Sequence, residues 1–170
     1  MFAAELEYAE LTGASLIKTK AHVGLLCVQS LQGSVDNPRL LGDELSHRNV
    51  IMDAAVVCER LWMQFGTWLN HERSLYLSAL TFNRFGQWQS ALDSAGKALV
   101  IIESNGVEEV DRAFLLLQVS KACQGQGNRG SADEALHAAD RIAQGFDSQL
   151  SRWFLDVRSK LKVADFVPAD

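Results

Sequence analysis

The chain has 170 residues, 48% of them apolar and 22% charged, which fits one globular domain (1–170) with a buried core. Its formal net charge is −5, whereas a nucleic-acid binder needs a basic face to displace counterions, so no nucleic-acid partner is expected. Only two prolines, Pro38 and Pro168, stand in the way of long helices.

The opening residues MFAAELEYAE are acidic and lack the basic and apolar regions of a secretory signal. Apolar residues then recur at helical spacing along almost the whole chain, and period-two alternation is scarce. The expectation is an all-α protein. A first helical region covers 2–31, with a break at TGAS (12–15) and a stop at Gly33. SVDNPRLLGDE (34–44) is a connection. The windows LLCVQSL and LVII are too short to span a bilayer. Cys27, Cys58 and Cys123 are odd in number, far apart and set among apolar residues. That reads as buried free thiols in a reducing compartment, and the protein is expected to be cytoplasmic.

A long helix is expected over 47–69. Its part RLWMQFGTWL (60–69) is apolar on more than one face, which suits burial on several sides. It is also a candidate self-association surface through Trp62, Phe65 and Trp68, since aromatics are enriched in interface cores. Further helices are expected over 71–85 and 88–102, with Gly106 closing the second in a left-handed turn. Two more follow over 110–124 and 131–143. SADE (131–134) has the pattern of a capping box. The last helix, over 148–163, carries the stripe Leu150, Trp153, Phe154, Val157 and Leu161. The tail ADFVPAD is expected to fray.

FGQWQSALDSAGKAL (85–99) explains its own composition. On a helix, Ala91, Ala95 and Ala98 share one face and let another helix approach closely. Gly96 is assigned to the same packing. Gly86 supplies the turn from the preceding helix, which ends in the small-then-large pair Ala79 and Phe82, and Trp88 plugs the corner. The order returns in AFLLLQVSKACQGQGNRGSADEALHAADRI (113–142), where Ala135 and Ala139 correspond to Ala91 and Ala95, a separation of 44 residues.

This series resembles the tetratricopeptide repeat, whose unit is roughly 34 residues. Ala79, Phe82, Gly86, Trp88, Ala91 and Ala98 fall on its small, aromatic and turn positions. Ala95 stands where a larger aromatic is common, and Glu103 near the terminal proline. The resemblance implies a TPR-like α-solenoid of antiparallel helix pairs with longer-than-standard repeats. Clear repeats cover about 71–145 and a degenerate one about 20–69 (AHVGLLCVQSLQG, then IMDAAVVCERL). A capping helix at about 148–163 closes the stack.

In this family the first helix of each pair lines the concave surface. The resemblance therefore puts Arg73, Tyr76, Leu80, Asn83 and Arg84 in the groove, followed by Phe114, Leu117, Lys121 and Gln124. The mixture suits a peptide or amphipathic helix of a partner protein. Carboxylate-clamp members, which hold chaperone tails, use Lys and Asn where Tyr76 and Leu80 stand here, so no such clamp is expected.

Catalytic constellations are weak. His22, His47, His71 and His137 lack metal-ligand spacing, and no cofactor or metal is expected. The Ser-x-x-Lys pairs SLIK (15–18) and SAGK (94–97) have no companion motifs. GQGNRG (125–130) lacks the lysine and the preceding strand of a phosphate loop and reads as an inter-helix turn. Asp111, Asp133 and Glu134 are ordinary helix-start acids. The expected function is protein binding rather than catalysis, as a secretion chaperone, adaptor or regulatory protein. The alternative is an α-helical enzyme or small-ligand protein with an apolar pocket between helices.

Overall fold

The periodicity of the sequence becomes six helices and no strand in the residues that the structure, a computed structural model, describes, 48–161. The expectations for 1–47 and 162–170, including His22, Cys27, His47, SLIK, the connection at 34–44 and the tail, lie outside them. The helices are α1 (Arg48–Phe65), α2 (Trp68–Arg84), α3 (Trp88–Asn105), α4 (Glu109–Gly125), α5 (Arg129–Ala143) and α6 (Ser148–Ser159). None of them is long and apolar enough to cross a membrane. The chain forms two compact units, Met1–Ser78 and Ala79–Asp170, with the division inside α2.

In the first unit, the helix expected over 47–69 ends at Phe65 and a new one begins at Trp68. The break has a local cause. The amide and hydroxyl of Thr67 both donate to Asn70 Oδ1, each at 3.0 Å, and the amide of His71 donates to the Thr67 carbonyl. Thr67 is thus the N-cap of α2, with Asn70 reaching back to it. A Cβ at Gly66 would stand 2.6 Å from the Trp62 carbonyl oxygen, so only glycine fits this corner. Ser78 Oγ donates to Glu59 Oε2 at 2.6 Å, tying α2 to α1. Ala54, Ala55, Cys58, Leu75 and the carboxylate-bearing Glu72 are buried. Burial raises the Cys58 thiol to about 11, although a hydrogen bond with Trp62 opposes the shift.

In the second unit, two turns share one geometry. After α2, the amide of Gln87 donates to the Phe82 carbonyl and that of Gly86 to Asn83, with Gly86 at φ 71°. After α4, the amide of Asn128 donates to Cys123 and that of Gly127 to Gln124, with Gly127 at φ 78°. Both are Schellman closures around a left-handed glycine. Their offset, Gly86 to Gly127, is 41 residues. It carries buried Ala91, Ser94 and Ala98 of α3 onto buried Ala132, Ala135 and Ala139 of α5. The spacing of 44 is thereby corrected. Alanines three and four apart make the register ambiguous in the sequence, and the turns resolve it.

Ala95 is also buried, but a Cβ on Gly96 would meet nothing within 4 Å, so Gly96 has no packing role. Trp88 is half-buried and its ring lies over Gly125, where a Cβ would come within 2.3 Å of Cδ2. Gly106 is extended, with φ 174°, and does not take the left-handed turn. The capping box at SADE does not form. Helix α5 starts two residues earlier, with Asn128 Oδ1 accepting from the Ser131 amide at 3.2 Å. Asp147 caps α6 by accepting from the amides of Gln149 and Leu150.

Helix α6 is held within this unit by an ion pair and by ring contacts. Arg158 donates from Nε and Nη2 to the two carboxylate oxygens of Asp140, at 2.7 and 2.9 Å. Phe154 is buried edge-on to Phe146 and to Phe114. Trp153 leaves the expected apolar stripe. It is 55% exposed, with one face on Phe114 at a centroid distance of 4.4 Å.

Candidate functional site

Helix α4 positions most of the expected residues of the second unit. Phe114, Gln118 and Lys121 follow at i, i+4 and i+7 and share one side of the helix. The 41-residue offset makes Phe114, Leu117, Lys121 and Gln124 the counterparts of Arg73, Tyr76, Leu80 and Asn83.

Burial separates these residues. Phe114, Leu117 and Asn83 are 3%, 0% and 1% exposed, and their side chains serve the fold. Phe114 is covered by Trp153 and Phe154. Asn83 Nδ2 donates to the Gln118 carbonyl at 2.9 Å and to Gln118 Oε1 at 3.1 Å, which fixes the end of α2 against α4. Leu80, Arg84, Lys121 and Gln124 are half-buried. Gln124 Nε2 lies 3.4 Å from Ser120 Oγ as a donor. Arg73 and Tyr76 belong to the first unit. Tyr76 is half-buried, and Arg73 is exposed with Nε 3.3 Å from Oε1 of buried Glu72.

The electrostatics centre on Lys121. Burial lowers its pKa, and Arg84 lowers it further by like-charge repulsion. Among the described residues no carboxylate pairs with Lys121. The side of the unit formed by α4 and α6 thus offers Lys121 at one end, with Arg84 of α2 near enough to act on it. At the other it offers the open face of Trp153, backed by Phe114.

The sequence reading missed Trp153 as a surface residue. Its signal was angular: Leu150, Phe154, Val157 and Leu161 define the centre of the stripe, and Trp153 falls at its edge. The mutual placement of Arg84 and Lys121 needed the tertiary contact between α2 and α4.

No group of three or more His, Cys, Asp or Glu side chains among the described residues is placed to hold a metal ion. No family model, no curated protein and no solved structure matches the chain.

Proposed function

We propose that this chain is a TPR-like helical-repeat protein that binds a peptide or amphipathic helix of a partner protein, in the manner of a secretion chaperone, adaptor or regulatory protein. The observation that carries the reading is Trp153, a large aromatic more than half exposed yet backed by a second ring. A rigid, supported tryptophan presents apolar area at little entropic cost, and tryptophan is a leading hot-spot residue. The repeated turn at Gly86 and Gly127 supports the repeat architecture, and close-packed Ala91, Ala98, Ala132 and Ala139 support tight stacking of helices. We assign the proposed binding surface to the Ala79–Asp170 unit, at Leu80, Arg84, Lys121, Gln124 and Trp153, none of which is buried.

The test is affinity purification with the full chain, followed by calorimetric titration of the captured protein. Trp153→Ala is expected to weaken binding by about 2 kcal/mol or more while leaving helical content unchanged. Equal affinity of wild type and Trp153→Ala removes this surface from the proposal.

A further inference from the structure

We infer that the segment held on this surface is acidic: a partner carboxylate seats against Lys121 and Arg84, and an apolar side chain of the same segment covers the open face of Trp153. The inference rests on the protein-binding reading above and names the chemistry of its partner.

The argument starts from charge complementarity. The chain as a whole is acidic, with a net charge of −5, yet Lys121 is half-buried on α4 and has Arg84 close enough to repel its charge. Ordinary surface lysines sit beside acids or in open water. Lys121 does neither: it is half-buried, beside another cation, with no carboxylate partner among the described residues. An incoming carboxylate relieves both the desolvation and the repulsion, and it gains charge-assisted hydrogen bonds. The amide of Asn83 is committed to Gln118 between the two helices and holds this end of the surface in place.

Spacing gives the ligand a pattern. Phe114, under Trp153, and Lys121 are seven residues apart on α4, a rise of about 10 Å. An extended segment covers about 10 Å in three residues, and a helix covers it in seven. The matching segment carries Asp or Glu three or seven positions from a bulky apolar residue.

A random peptide phage library, panned in parallel on the full wild-type chain, Lys121→Glu and Trp153→Ala, tests this. Circular dichroism of each variant establishes that it is folded. Wild type is expected to enrich acidic–apolar peptides of that spacing by about tenfold or more over the input library. Lys121→Glu is expected to lose them and select Lys- or Arg-bearing peptides instead. Unchanged selection by Lys121→Glu, or basic or uncharged peptides on wild type, overturns the inference. Peptides that depend on Trp153 without charge preference overturn it while leaving the protein-binding reading standing. No enrichment on wild type removes both. A labelled single-stranded oligonucleotide that binds wild type and displaces the selected peptides assigns the cations to phosphate, and also overturns it.

Discussion

Replacing Gly125 by alanine puts a Cβ within 2.3 Å of the Trp88 ring, which has no flexible end to give way. The expected cost is about 1–3 kcal/mol, read as a lower urea midpoint. Gly96 is the opposite case. It lies inside α3 with open space around its Cα, so Gly96→Ala is expected to raise stability by roughly 0.5–1 kcal/mol through helix propensity. One experiment on the two glycines therefore gives two opposite signs. Cys58 supplies a pH test. Its thiol titrates at about 11 when folded, against 9.0 ordinarily, so the folded state resists ionisation. Its contribution is intact below pH 9 and is lost as the pH rises toward 11. The advantage of wild type over Cys58→Ala should shrink across that window, by an amount on the order of 2–3 kcal/mol.

At the level of the helices, small residues mark the crossings. Ala91 and Ala132 are 0% and 1% exposed at equivalent positions, so Ala91→Leu and Ala132→Leu should each cost about 1–3 kcal/mol in thermal or urea denaturation. Ala91 was legible in the sequence because alanine at i, i+4 and i+7 has few other uses, whereas Ala132 emerged only once the turns fixed the offset. Turn glycines were half legible: Gly86 was identified, but the left-handed residue of the second turn had to be chosen among Gly125, Gly127 and Gly130. The break between α1 and α2 was hidden because RLWMQFGTWL is apolar on several faces and shows no periodic interruption. Its local signal was Thr67 followed three residues later by Asn70. The shift of the α5 cap from Ser131 to Asn128 has a similar origin, since either side chain can cap and the turn geometry selects one. The groove residues were the least legible. The resemblance put Phe114, Leu117 and Asn83 in a groove, but helical spacing alone could not reveal that neighbouring elements bury them.

At the scale of the whole molecule, α6 packs through Phe154 on Phe114 and Phe146 of the Ala79–Asp170 unit and also presents Trp153. Removing 148–170 uncovers Phe114 and deletes Phe154, and the truncated chain is expected to lose cooperative unfolding. Separating α6 from its Asp140 clamp is milder. Arg158→Met removes a partly exposed bidentate pair and should cost about 1 kcal/mol or less in urea denaturation. The central claim is that partner recognition uses the α4–α6 side of this unit. Hydrogen exchange of the full chain, with and without its captured partner, tests it most directly. The account predicts added protection in the segments around Lys121 and Trp153. Protection confined to α1, around Trp62 and Met63, would contradict it.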